Sequence, residues 1–481
     1  MKPPPPDRPI APRPRPGTAE PRSPMDGLET IALWHAGALL IFASWAFGGN
    51  VGWARLVISW WGCAGALITL GAARRCGGRR VLRWLWPLLA FDLLVLASCL
   101  NPSFSVRTFD GESLLVHSGG VAWLPGSAEP ATSLRALALF NGVFLPGLNL
   151  ALCVRRRRAL RSLMVAATAD ALVLSIFGTL QKLTGAGLFF GLRQSPNAYF
   201  FSTFIYHNHW GAFAFLSVAI GAGLVFHYAT QGDARNFWHS PAFACAVGLL
   251  FIAATAPLSE SRSGTLLVLL VAGVALARAL WAGRRRNRAP LASLAGWLAG
   301  ALAAALVLAA GLYRLDERGF NARTELTRQQ VGQMYATGSL GSRALLYRDT
   351  WKMAREHLWL GWGFDTYASI FRLYNTQKSV DRLPVFYAQA HSDWLQCIAE
   401  TGLAGTLLVG LLGVSPLLTL RWRHFRHPLV FFSLLGCALI LLYAWVEFPF
   451  ECPAVALLFW LTFFSAVRTA QLSPAENKLH Q

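Results

Sequence analysis

Apolar residues in this chain fall into long runs separated by short polar or basic stretches. Runs of about 17–21 residues recur at 31–47, 51–71, 84–100, 134–154, 163–181, 209–229, 241–258, 265–281, 291–313, 403–420, 429–446 and 454–470, each long enough to cross a bilayer as a helix. The pattern predicts an all-α polytopic membrane protein with about twelve transmembrane helices. Only Gly48, Gly49 and Asn50 separate the first two runs. The segment 314–402 has no spanning run. Within it Ser342 precedes Leu346, Thr350, Met353, Ala354, His357 and Leu358 at helical spacing, and the run stops at Gly361, Trp362 and Gly363. This segment is expected to form a helical subdomain on the membrane face.

The layout that follows is a proline-rich tail over 1–30, nine helices over 31–313, the large loop 314–402, three more helices over 403–470 and a short tail over 471–481. The first tail has too little apolar content to fold and is expected to be disordered. Its polar leader is too long for a signal peptide. The loop 101–133 has alternating apolar residues that allow a small hairpin.

Composition agrees with the membrane reading, since 54% of the 481 residues are hydrophobic and 14% are charged. A net charge of +20 would point to nucleic acid if it were spread over a soluble surface. It is instead concentrated at Arg74, Arg75, Arg79, Arg80 and Arg83, at Arg155 to Arg158 with Arg161, at Arg284, Arg285, Arg286 and Arg288, and at Arg421, Arg423 and Arg426. These clusters fall on one side of the alternating spans. That is the positive-inside pattern, so both termini are expected in the cytoplasm and the loops 101–133, 182–208, 259–264, 314–402 and 447–453 outside. Eight cysteines are scattered in or near the spans without metal-ligand spacing and read as packing residues.

The chemistry gathers at span boundaries. Ser392 and Asp393 are helix-opening residue types, which places His391 just outside a first turn. Free N–H groups there would favour an anion and a neutral, base-competent imidazole. The alternative is an interfacial histidine that only bonds its own loop. Residues 191–213 carry Arg193, His207, Asn208 and His209 beside aromatics, which fits a sugar or head-group site or equally an aromatic belt. The tight turn 259–264 carries Arg262, suited to clamp a phosphate bidentately or to anchor the hairpin on lipid head groups. Nine arginines of the large loop, Arg343 among them, make its face attractive to anions.

Four stretches carry a family resemblance: HLWLGWGFDTY at 357–367, AHSDWLQCIAETGLAG at 390–405, SRSG at 261–264 and STFIYHNHWGAF at 202–213. Together they resemble the O-antigen ligase and polymerase family of bacterial envelope proteins, over roughly the C-terminal 300 residues. The histidine segment with its ExGxxG tail is the most specific part. Ser392 stands where the family often has asparagine, and Trp362 fills a usually smaller position. The resemblance implies a GT-C-like inner-membrane glycosyltransferase with a periplasmic helical loop. Such an enzyme moves a glycan from an undecaprenyl diphosphate carrier to an acceptor such as a sugar hydroxyl or lipid A–core, with inversion and without a metal or other cofactor.

On that model His391 accepts the acceptor's proton, Arg262 and Arg193 bind the diphosphate, and Asn208 and His209 shape the cavity. The acceptor stays open among a ligase, a repeat-unit polymerase and a protein O-glycosyltransferase. A polysaccharide exporter is the alternative from another class. It would need a charged path through the spans, where Arg55, Asp92 and Asp170 are the obvious intramembrane charges. A purely structural scaffold is a third possibility.

Overall fold

The computed structural model describes residues 24–109, 112–121, 123–184, 188–189, 193–195, 197, 200–231, 239–286, 342–377 and 386–472. Residues 1–23, the expected span 291–313 and the end of the chain from 473 lie outside them. The described chain is an all-α polytopic bundle with ten helices long and apolar enough to cross a membrane. In order these crossings use α1 (Pro24–Trp45), α2 and α3 run together (Gly52–Cys63, Gly65–Cys76), α4 (Gly78–Cys99), α5 (Pro130–Cys153), α6 (Arg157–Leu183), α7 (His207–Gln231), α8 (Pro241–Leu258) and α9 (Arg262–Arg286). They are completed, after the short α10 (Ser342–Glu356), by α11 (Asp393–Leu417) and α13 (Pro453–Gln471). Between those two lies α12 (Pro428–Tyr443), apolar but with only 16 residues. At about 1.5 Å per residue it is shorter than a typical hydrocarbon core of about 30 Å.

Two boundaries differ from the expectation. The helix of α1 begins at Pro24, so the end of the expected tail is helical. The last part of the large loop, from Asp393, is already the first turns of α11. Elsewhere local signals explain the ends. Five helices, α1, α5, α8, α12 and α13, open with proline, whose missing N–H costs nothing in a first turn. The Gly48–Gly49 step between α1 and α2 takes φ values of 66° and 82°, which lets the chain turn sharply within the connection Ala46–Val51.

Helices α13 and α7 form the centre of the bundle, with 94% and 78% of their apolar windows buried inside the protein. Phe144 of α5 meets Trp460 and Phe464 of α13 edge-on, at 4.8 and 5.5 Å between ring centroids. The peripheral helices instead turn Trp60, Leu67, Leu93, Leu266 and Leu407 outward, as a lipid-facing surface requires. Charges within the bundle are partnered. Asp170 accepts from Ser44 Oγ (2.8 Å) and Trp45 Nε1 (2.9 Å), Asp92 accepts from Asn141 Nδ2 (2.9 Å), and Arg55 pairs with Glu451.

One end of the bundle collects the arginine-rich helix termini. The opposite end carries a hairpin of β1 (Phe104–Phe109) and β2 (Glu112–His117), registered Phe104 to His117, and the helix α10 packed on α11. A short pair, β3 (Leu188–Phe189) and β4 (Arg193–Gln194), precedes α7 at the same end.

Candidate functional site

The site begins with a break in a helix. Gly402, at φ 65° and ψ −174°, interrupts α11 and frees the backbone groups around it. A turn over 358–363 takes them up. Leu403 N donates to Leu358 O (2.8 Å) and Ala404 N to Trp359 O (3.1 Å), while Trp362 N and Gly363 N donate to Ala399 O and Glu400 O at 3.1 and 2.9 Å. The approach leaves no room for side chains. A Cβ on Gly361 would lie 2.2 Å from Glu400 O, and one on Gly402 would lie 2.3 Å from the Trp359 carbonyl group. Glu400 locks the joint by accepting from Asp365 N (2.8 Å), Tyr367 N (3.3 Å) and Gln396 Nε2 (3.0 Å). The GWG and ExG elements of the sequence are two halves of one backbone exchange.

That joint fixes the start of α11. Ser392 is its N-cap, with Oγ accepting from Leu395 N at 3.3 Å. Asp393 N donates to Glu447 O (3.3 Å) and Gln396 N to Ser392 O (3.0 Å), so several of the N–H groups expected to attract an anion are used internally. His391 sits just ahead of the helix at φ 53°, a left-handed conformation uncommon for a residue with a Cβ. Two contacts hold it there. Tyr347 OH donates to His391 O at 2.9 Å, and the imidazole meets the Phe448 ring edge-on at 4.8 Å.

The group facing His391 is Glu447, in the turn between α12 and α13. Its Oε2 lies 3.7 Å from His391 Nδ1, within ion-pair reach but too long for a hydrogen bond. Glu447 is otherwise well supplied with donors. Its Oε1 accepts from Arg343 Nη2 (2.5 Å) and Asn208 Nδ2 (3.1 Å), and its Oε2 from Tyr206 OH (3.4 Å). Burial pushes the Glu447 carboxyl up, but the facing His391 ring and the Arg343 guanidinium outweigh it and hold the group below the usual carboxylate range. Glu447 is therefore an anion in the buried wall, while the His391 side chain is 28% exposed.

The other motifs close around this pair. Ser261 of the SRSG turn donates to Asn208 Oδ1 (2.8 Å), and Ser263 Oγ donates to Tyr443 OH (3.3 Å). A Cβ on Gly211 would lie 2.3 Å from Ser261 Oγ, so the two motifs are in direct contact. His209 is fully enclosed one layer behind, between Asn50 Nδ2 (3.1 Å from Nδ1) and Phe448 O (3.3 Å from Nε2). Arg262 opens α9 between the two serines and is exposed. The backbone of Arg193 lies in β4, and its side chain falls outside what is described.

The structure thus unites His391, Asn208 and the SRSG turn, and puts His209 in a supporting layer. Sequence reasoning missed Glu447, Tyr206 and Tyr347, and did not separate Arg343 from the other loop arginines. The signal for Glu447 was its place in the short outward turn 447–453, where Glu447 and Glu451 flank a Phe-Pro-Phe step at a span boundary.

A separate cavity of about 370 Å³ lies beside this site and does not include His391, Arg343 or Glu447 among its walls. Its polar end holds Arg55, Asp365, Asp393, Glu400 and Glu451, and Phe140, Val409, Leu417, Phe459 and Phe463 line its apolar part. Burial and the neighbouring Glu451 push Asp365 up to about 7, against the opposing pull of Arg55.

Fold and site together define a multi-pass membrane protein with a histidine–carboxylate–arginine cluster at one end of its bundle. Residues 247–410 match the model of the O-antigen ligase family. The matched segment contains the SRSG turn, the 357–367 turn and His391, and it supports a glycosyltransferase-like role in polysaccharide assembly. None of the curated proteins matches the chain.

Proposed function

We propose that the protein is an O-antigen ligase-type glycosyltransferase that moves a glycan from undecaprenyl diphosphate to an acceptor hydroxyl at the periplasmic face of the inner membrane. The observation that carries this reading is the buried Glu447 anion, bonded by Arg343 and Asn208 and facing Nδ1 of a partly exposed His391. A carboxylate on that side favours the proton on Nδ1 and leaves Nε2 as the base, and the 3.7 Å separation closes with a small side-chain adjustment.

In the reaction the acceptor O–H gives its proton to His391 Nε2 as the oxygen attacks the anomeric carbon. The bond from that carbon to the diphosphate oxygen breaks, and undecaprenyl diphosphate leaves with the bonding electron pair. A single displacement inverts the configuration. Arg343, with donors left over from Glu447, and Arg262 meet the charge that builds on the leaving group. Arg193 stands as a further candidate in the same role. Asn208 holds the carboxylate that orients the base, and His209 supports Phe448 behind it. The orientation follows from the arginine asymmetry of the two bundle ends.

Reconstitution of the purified protein in liposomes with lipid-linked glycan, followed by a gel ladder and mass spectrometry of the products, tests the reading. Glycan joined to lipid A–core identifies a ligase, lengthened lipid-linked glycan a polymerase, and glycosylated serine or threonine a protein glycosyltransferase. Unchanged glycan delivered across the bilayer would overturn the enzyme reading in favour of an exporter.

A further inference from the structure

At the end of the bundle opposite His391, three arginines converge on two histidines. Arg161 of α6 places Nη1 2.8 Å from His227 Nε2 of α7. A guanidinium can only donate, so this nitrogen accepts and the His227 ring carries its proton on Nδ1. The His227 ring lies 5.6 Å from that of His427, the N-cap residue of α12. Arg278 of α9 reaches the same corner, with its guanidinium 4.4 Å over the Phe431 ring and Nη2 donating to Arg426 O at 2.9 Å. Arg157, at the start of α6, gives Nε to Thr469 O at 3.2 Å.

What the corner lacks is a counter-charge. Among the described residues, Arg157, Arg161 and Arg278 pair with carbonyls, aromatic rings and a neutral imidazole, and none with a carboxylate. Two partly buried basic groups elsewhere in the protein do have one: Arg55 pairs with Glu451 and Lys182 with Glu260. His427 Nδ1 is enclosed at the same place without a hydrogen-bond partner. Burial, with Arg157, His227 and Arg278 adding to it, pushes the His427 imidazole down to about 4, so it adds no charge that would need balancing at neutral pH.

We propose that this corner, bounded by the ends of α6, α7 and α9 and the start of α12, binds a phosphate group. The chemistry fits. Guanidinium donors are suited to a phosphate, and basic pockets between transmembrane helices on the cytoplasmic side recognise anionic head groups. The phosphate of an anionic bilayer lipid and free inorganic phosphate share that chemistry.

Native mass spectrometry of the purified full-length protein, mixed with phosphatidylglycerol or phosphatidylcholine, is the test, with inorganic phosphate added as competitor. Wild type is expected to retain phosphatidylglycerol preferentially. The pair Arg161→Gln with Arg278→Gln is expected to weaken retention on the order of tenfold or more. The pair Arg74→Gln with Arg75→Gln, at the exposed end of α3, is expected to leave it unchanged. Arg161→Lys with Arg278→Lys keeps the charge and is expected to recover most of the binding, which guards against a folding effect of the glutamine pair. Displacement by millimolar inorganic phosphate would assign the site to a free phosphate, and resistance to it would assign a lipid. Equal retention of the two lipids by wild type together with no phosphate binding, or equal loss in both glutamine pairs, would overturn the proposal.

Discussion

Glu447 Oε2 faces His391 Nδ1 at 3.7 Å across the turn that links α12 to α13, and Arg343 holds the other oxygen of the same carboxylate. The two residues are far apart in the chain. They meet because Asp393 N donates to Glu447 O, which ties the first turn of α11 to that turn.

Glu447→Gln keeps the shape but removes the charge that orients the imidazole and partners Arg343. Transfer is expected to fall by about 10²-fold, mostly in kcat, as for loss of a group that positions a base. The carboxyl lies below its unfolded value in the folded protein, so its stabilising contribution is present above the ordinary glutamate range. That contribution is lost as pH falls through the lower folded value. Thermal melting in detergent from pH 7 to pH 3 should therefore show an acid-side loss in wild type that is reduced in Glu447→Gln. Identical melting profiles would mean that Glu447 is not held ionised by its neighbours.

The joint at Gly361 and Gly402 predicts a stability effect independent of catalysis. Alanine at either position is strained by the positive φ and meets backbone atoms within 2.2–2.3 Å, none of which belongs to a flexible side chain. Each substitution should cost about 2–4 kcal/mol and lower the yield of folded protein. Gly273→Ala, in the middle of α9 with nothing within 4 Å, is the matched control and should fold as wild type. A normal melting temperature for Gly361→Ala would show that the turn does not pack on α11 this tightly.

The bundle was legible from periodicity because each crossing leaves a run of its own, and the SRSG, GWG and HSD motifs stood out because they sit between runs. What stayed hidden was pairing across the fold. Arg343 was one of many arginines in its loop, and only the helical step that puts Tyr347 beside the His391 carbonyl distinguishes it. Asn208 was visible as a polar residue at a span start, but its contact with Glu447 joins α7 to the turn between α12 and α13, which no local pattern encodes. His209 looked like a cavity residue because its neighbours are polar. It is instead enclosed by Asn50 and the Phe448 carbonyl, since the Gly48–Gly49 step places Asn50 against the start of α7.

The orientation proposed from arginine asymmetry places α10 and the 357–377 segment outside. Leu373 is exposed there, and a cysteine at that position, in a background with native cysteines replaced, should react with an impermeant thiol reagent in intact spheroplasts. Labelling only after lysis would reverse the topology and remove the periplasmic site.

Arginine and lysine should separate at Arg343. Its Nη2 holds Glu447 while Nη1 holds Val446 O at 2.9 Å, a two-point grip that an ammonium does not reproduce. Arg343→Lys is expected to lose about tenfold in kcat/KM even at normal expression. Arg262→Lys is expected to raise donor KM by a similar factor if Arg262 meets the diphosphate, whereas a head-group anchor would tolerate lysine. Full activity in both variants would leave the leaving group without its proposed clamp.

The substitution that bears most on mechanism is at His391 itself, and its backbone decides which variant to use. At φ 53° alanine is strained as well as ringless, so His391→Ala alone would mix a backbone effect with a chemical one. Asparagine tolerates the left-handed region and keeps a polar side chain beside Glu447, which makes His391→Asn the cleaner test. His391→Asn is expected to melt within a few degrees of wild type and to retain Tyr347's bond to the residue 391 carbonyl, because that bond needs only backbone. Transfer should nonetheless fall by about 10²–10⁴, the usual worth of a positioned base, with donor KM little changed since the arginines remain. If His391→Asn transferred glycan within about threefold of wild type, the histidine would serve only to shape its loop. The base would then have to lie elsewhere, and Glu447 would stand as the anchor of Arg343 and Asn208 alone.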